Sequence, residues 1–197
     1  MIEDKAVRRV MRWIPLAMAG HLLIGAPALL ISLVVAYGTY VQANATQKMQ
    51  TAAAWPYVSY GTSNLGDGRK EEYSFTLTND GVGPAMLSAV EVRYEGRIMR
   101  NASQLFTACC RSAGGSLRAW WSPPSGSVLR PGDKVEFLHL EQSLPGTAAG
   151  KRILGERMKI DVRACYCSIF DDCWIMSGMQ TRPKPVAACP TDWTRFG

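Results

Sequence analysis

EEYSFTLTNDGVGPAMLSAVEVRYEG, Glu71 to Gly96, decides the fold. Tyr73, Phe75 and Leu77 alternate with Ser74, Thr76 and Thr78, a period of two that suits a half-buried strand. NDGVGPA then breaks the chain with two glycines and a proline. In the second half, Val90, Val92 and Tyr94 take one face and Glu91, Arg93 and Glu95 the other. Glu95-Gly96 signals a turn, and Arg97 to Met99 predicts a short return strand.

The same pattern continues downstream. LRPGDKVEFLHLE, Leu129 to Glu141, presents a Pro-Gly-Asp turn and then a strand whose alternation slips between Phe137 and Leu138, as at a bulge. RMKIDVRACYC, Arg157 to Cys167, predicts the last long strand, and CWIMSG, Cys173 to Gly178, folds back on it. Short strands, Gly/Pro turns and little helix signal predict an all-β unit, a two-sheet antiparallel β-sandwich.

Asn79-x-Gly81-x-Gly83-Pro84-Ala85, a strand closing at Glu95-Gly96, and Leu129-x-Pro131-Gly132-Asp133 before another strand resemble bacterial immunoglobulin-like modules of the CARDB type. More broadly, the layout resembles bacterial single-span membrane proteins that carry such a domain outside the cytoplasm. The likeness covers about residues 70–142. It implies an immunoglobulin-like adhesion or interaction scaffold with no catalytic residues to carry over. The chain departs from that pattern in its cysteines and in an insert at 101–125.

Before the strands lies a different kind of segment. Trp13 to Val41 contains no Asp, Glu, Lys or Arg, and about 20 apolar residues suffice to cross a bilayer. Trp13 stands at one border and Tyr37 and Tyr40 near the other, as interfacial aromatics do. Lys5, Arg8, Arg9 and Arg12 precede it against Glu3 and Asp4. The excess of positive charge predicts a cytoplasmic N-terminus and a periplasmic or extracellular C-terminal domain on an inner or plasma membrane. The alternative is a signal peptide cleaved at Ala43-Asn44-Ala45, but signal-peptide apolar regions run to about 7–15 residues. The expected organisation is a cytoplasmic stretch 1–12, a transmembrane helix 13–41, a linker 42–54 without periodicity, and the β-sandwich 55–197.

His21, Gly25, Ala28, Ser32 and Ala36 share one side of the predicted helix. Small residues in such a row let a second helix approach, and a histidine in hydrocarbon favours a polar partner. Pro27 interrupts the row, and glycine and alanine are common in spanning helices.

All six cysteines follow the apolar run, and an even count in an oxidising compartment implies disulfides. In YCSIFDDCW, Tyr166 to Trp174, Cys167 and Cys173 bracket a loop at Phe170, and Asp171 and Asp172 tolerate the left-handed backbone such loops need. This predicts a hairpin clamp. Ile160, Val162, Ala164 and Tyr166 form the apolar face of the strand, so Cys165 and Cys167 point the other way, where they can staple a covering segment. Cys165 with Cys189 is the favoured pairing, with Cys109 and Cys110 as the other candidates, and six cysteines allow 15 connectivities. Two rivals are a four-thiolate zinc set of Cys165, Cys167, Cys173 and Cys189, and a redox pair at Cys109-Cys110.

With 47% hydrophobic and 19% charged residues and a net charge of +6, the chain can build a core and is not disordered along most of its length. Its remaining Lys and Arg mix with Asp and Glu, unlike the stripe of a nucleic-acid binder. No nucleophile elbow, zinc-protease helix, phosphate-binding glycine loop or cofactor motif occurs. His139 falls within a strand and is read as a surface or satisfied core residue. These observations favour a binding or scaffold protein over an enzyme, with no cofactor. Trp120 and Trp121, with Arg111 and Arg118 nearby, are the candidate contact residues, because aromatic and arginine side chains on loops anchor interfaces. The competing reading folds the tryptophans down as a lid. A lipid bilayer and an envelope protein, or a second copy, are the expected partners. A small subunit of a membrane complex and an envelope thiol-redox protein are the alternatives. Arg182 to Trp193 reads as an extended, proline-rich surface tail, and Asn44 and Asn101 stand in glycosylation sequences.

Overall fold

The computed structural model describes residues 3–64, 71–110, 117–142, 148–178 and 182–197. It contains two compact units, Met1–Gln50 and Thr51–Gly197.

One helix, α1, Glu3–Ala53, makes up the described part of the first unit and continues three residues beyond it. From Trp13 onward it is long and apolar enough to cross a membrane, with no buried share in its most apolar window. The helix continues well past the apolar run. Residues 42–53, expected as an irregular linker, are helical because Ala43, Ala45, Gln47, Lys48, Met49, Gln50, Ala52 and Ala53 are strong helix formers. Absence of an apolar stripe removes the packing signal but leaves the propensity.

Among the described residues ten strands build the second unit: β1 Val58–Ser63, β2 Glu71–Asn79, β3 Ala85–Tyr94, β4 Arg97–Met99, β5 Leu117–Trp121, β6 Val128–Leu129, β7 Lys134–Gln142, β8 Ile160–Cys167, β9 Cys173–Ser177 and β10 Lys184–Val186. They form two antiparallel sheets. One is four-stranded in the order β1-β2-β7-β5; the other is six-stranded, β10-β9-β8-β3-β4, with β6 also paired to β3. One apolar cluster takes side chains from both sheets, including Tyr73, Phe75 and Leu77 from β2, Val90 and Val92 from β3, and Val162 and Tyr166 from β8. Burial pushes the Tyr166 phenol up to about 12.

The β2–β3 connection is held by Asn79, which is fully buried. Its Nδ2 donates to the carbonyls of Gly83 (2.8 Å) and Leu129 (3.0 Å), and its Oδ1 accepts from the N–H groups of Gly81 (3.1 Å) and Tyr57 (3.2 Å). All four hydrogen-bonding positions of the amide are therefore used. The Trp55 carbonyl accepts from Val82 (3.0 Å) and Gly83 (3.1 Å), so the two backbones run in contact. A Cβ at Gly81 would strike the backbone of Trp55–Tyr57, and one at Gly83 would strike Ala54. Close approach, rather than an unusual φ, makes these residues glycine.

Two helices lie outside the expected all-β pattern. α2, Ala102–Cys109, is capped by Asn101, whose side chain accepts from the Gln104 N–H, and buries Ala102, Leu105 and Cys109. α3 spans Ala148–Glu156 and runs into a 3-10 turn, Arg157–Lys159. Tyr94 donates to Glu156 (2.6 Å), which also pairs with Lys159 (2.8 Å), tying this corner to β3. Hydrogen bonds from Lys159 and Tyr94 hold the Glu156 carboxyl below its ordinary range; the same contacts raise Lys159 and Tyr94. The region expected as an insert is thus a helix, strand β5 and a loop in which Ser125 Oγ accepts from Val90 N–H (3.1 Å).

Beyond Trp193 the tail leaves the surface. Phe196 is 1% exposed, and its N–H donates to the Val90 carbonyl (2.9 Å) in the gap that β4 and β6 leave along β3.

Candidate functional site on the four-stranded sheet

β5 is an edge of its sheet: among the described residues it pairs with β7 alone. Trp120 is 49% exposed and Trp121 54%, so about half of each residue faces solvent. Trp120 stands opposite His139, with its ring edge-on to the imidazole at 5.4 Å, and Trp121 stands opposite Leu138. Arg118 occupies the register position opposite Glu141. Its side chain, like the whole of Arg111, lies outside the described residues.

The face behind these tryptophans is shaped by a bulge. Phe75 pairs with Leu138 and Thr76 with Glu136, which leaves Phe137 as the extra residue. Phe137 and Leu138 both point inward and are buried. In consequence Glu136 and His139, three residues apart and otherwise on opposite faces, share the outer face. The Glu136 carboxylate contacts His139 Nδ1. Glu72 and Glu141 sit directly opposite each other on β2 and β7, two register positions from the Ser74–His139 pair and on the same face. Ligand atoms of Glu72, His139 and Glu141 all lie within 4.8 Å of one another. Spacing alone does not place Glu136 beside His139, because only the bulge brings the two to one side. The alternation slip at Phe137 was the available signal.

The cysteines occupy the outer face of the six-stranded sheet and the end of α2. Cys167 and Cys173 are cross-strand partners with Cα atoms 4.0 Å apart, at disulfide distance, and Asp171 in their loop has φ 61°. Cys165 reaches Cys189 with Cα atoms 5.7 Å apart, and Cys109 is joined to Cys110. The two disulfides are neighbours, with Cys167 Sγ 3.7 Å from Cys189 Sγ. Cys167, Cys173 and Cys189 have metal-ligand spacing, but paired sulfurs offer no thiolate. The tail that carries Cys189 also covers this face: Trp193 stacks on Arg163 at 4.3 Å. Buried Glu91 takes Arg93 at 2.7 Å and Arg163 at 3.5 Å.

On α1, His21, Gly25, Ala28, Ser32 and Ala36 are all exposed, and Ser32 Oγ donates to the Ala28 carbonyl at 2.8 Å. The hydroxyl is thereby satisfied within the helix, which leaves His21 as the polar side chain of this row without a hydrogen bond among the described residues.

Fold and site together define a class: a β-rich unit of two antiparallel sheets that follows a single long apolar helix. No protein-family model matches the chain, and no curated protein matches it.

Proposed function

We propose that the chain is a single-span membrane protein that displays an immunoglobulin-like sandwich outside the cytoplasm, where it binds another envelope protein through the edge of β5. The apolar run of α1 supports the anchor, and Lys5, Arg8, Arg9 and Arg12 support a cytoplasmic N-terminus. Six cysteines in three pairs suit an oxidising compartment. The turn motifs shared with CARDB-type modules support a scaffold role.

The observation that carries the reading is the half-exposed pair Trp120 and Trp121 on a strand that, among the described residues, pairs on one side alone. An open strand edge offers main-chain donors and acceptors to an incoming strand, and adjacent tryptophans supply anchoring area. The partner accordingly contributes an extended segment with apolar side chains. A photo-crosslinking residue placed at Trp121 in native membranes should capture one protein, while the same residue at the exposed Val82 should not. Equal capture at both positions would refute the contact.

A second reading rests on the 3.7 Å between Cys167 and Cys189 sulfurs: once an external dithiol has reduced one bridge, the thiolate it frees lies beside the other disulfide and can attack it, displacing the second sulfur as a thiolate. Thiol titration of native protein separates the two: the scaffold requires no free thiols, whereas an exchange protein isolated in its reduced state shows at least two.

A further inference from the structure

We propose that Glu72, His139 and Glu141 bind a divalent transition-metal ion of the zinc type on the outer face of the four-stranded sheet. The site extends beyond the scaffold reading and does not depend on it.

Three features of the geometry argue for the ion. The first is the donor set: one imidazole nitrogen and two carboxylates, with ligand atoms within 4.8 Å of one another. Donors around a tetrahedral zinc at 2.0–2.2 Å lie about 3.4 Å apart, and rotation of the exposed Glu72 side chain closes the difference.

The second is the orientation of the imidazole. Glu136 engages Nδ1, which leaves Nε2 as the ligand nitrogen. A carboxylate behind a metal-binding histidine fixes its tautomer and ring orientation. The bulge at Phe137 is what supplies that carboxylate on the correct face, and Trp120 packs against the ring from β5.

The third is charge. Glu72 and Glu141 are direct cross-strand partners, an arrangement that destabilises a sheet when both are ionised. A bound dication offsets the repulsion. Among the described residues the other basic positions on this face are Arg118, opposite Glu141, and Lys134, two residues before Glu136 on β7. Glu141 also has another interaction, with which the ion competes. Imidazole with carboxylates favours zinc, copper or nickel over the all-oxygen preference of magnesium and calcium. A single imidazole among the three protein ligands leaves a fourth position facing solvent.

The test uses the full chain in detergent micelles with its disulfides intact, titrated with Zn2+ against a chromophoric chelator. The expected result is one Zn2+ per chain, with affinity lowered at least tenfold by His139→Ala and by Glu72→Gln. Glu136→Gln, which leaves all three ligands in place, should weaken binding by about tenfold, and Glu95→Gln should leave it unchanged. Circular dichroism checks that each variant is folded; if His139→Ala is not, Glu72→Gln and Glu136→Gln carry the test. Absence of stoichiometric binding would overturn the site. So would binding that survives all three site substitutions, binding lost on thiol alkylation, or displacement of Zn2+ by equimolar Ca2+ or Mg2+.

Discussion

Phe196 packs edge to face against Phe137, with ring centroids 6.0 Å apart and planes at 82°. One residue belongs to the tail and the other is the bulge residue of β7, so two irregularities of the chain meet in the shared core. Phe196→Ala should cost about 3–5 kcal/mol of unfolding free energy, the usual range for removing a buried phenylalanine. Phe196→Leu should cost under about 1.5 kcal/mol. Urea unfolding of the full chain in micelles measures both. A near-neutral Phe196→Ala would mean that the tail is not part of the core.

Asn79 and the two glycines after it are predicted to be intolerant for different reasons. Asn79→Ala removes four hydrogen bonds made in a buried setting and should cost about 3 kcal/mol or more, since each stranded group costs about 1–3 kcal/mol. Gly83→Ala forces the β2–β3 connection away from Ala54, whereas Gly61→Ala meets only Thr76 Oγ1 at 3.4 Å. Thermal unfolding should therefore show a large loss for Gly83→Ala and a change under about 1 kcal/mol for Gly61→Ala.

Removing disulfides should rank by loop length. In the chain-entropy account, a bridge with sequence separation 24, Cys165–Cys189, stabilises by about 3.5 kcal/mol. The Cys167–Cys173 clamp, with separation 6, stabilises by about 2.4 kcal/mol. Paired Cys→Ala variants unfolded in urea without reductant report the two values, and a reversed order would show that packing outweighs chain entropy here.

The Tyr94–Glu156–Lys159 corner sets a pH window. Glu156 is held below its ordinary value of 4.5, so its contribution is present above that pH and is lost as pH falls through the lowered value. Lys159 and Tyr94 are raised from 10.5 and 10.0, so theirs are present below about pH 10 and lost as pH rises through the raised values. Glu156→Gln should thus lower the unfolding temperature near neutral pH. The difference from the parent should shrink as pH falls below 4.5 and vanish once pH is below the lowered Glu156 value, in a melting series read by circular dichroism.

Trp120→Ala and Trp121→Ala should each change stability by under about 1 kcal/mol, because half of each ring already faces solvent. Co-purification of the proposed envelope partner with the full chain should nevertheless fall sharply in both. Loss of stability together with binding would instead assign the rings a packing role.

Much of the β unit was legible because period two is a strong signal when one face is buried. β2, β3, β7 and β8 lie where the alternation places them, and the slip at Phe137 and Leu138 coincides with the bulge. The alternation of β8 also separates Val162 and Tyr166, in the core cluster, from Cys165 and Cys167, outside it. What escaped detection had weak or long-range signals. Residues 42–53 are helical by propensity without an apolar stripe, and α2 announces itself only by the Asn101–Gln104 cap. Phe196 has no periodic neighbours at all; its place follows from a gap along β3 that exists only in three dimensions. The Glu136–His139 contact likewise needs the bulge before the two residues share a face.

The account stands on the export of everything after α1. A paired reporter fused through a flexible linker after Gly197, one half active only outside the cytoplasm and the other only inside, measures that side directly. Activity confined to the outside half is predicted. Activity confined to the inside half would contradict the anchor's orientation, the oxidising setting of the cysteines and the display of the β5 edge to envelope partners.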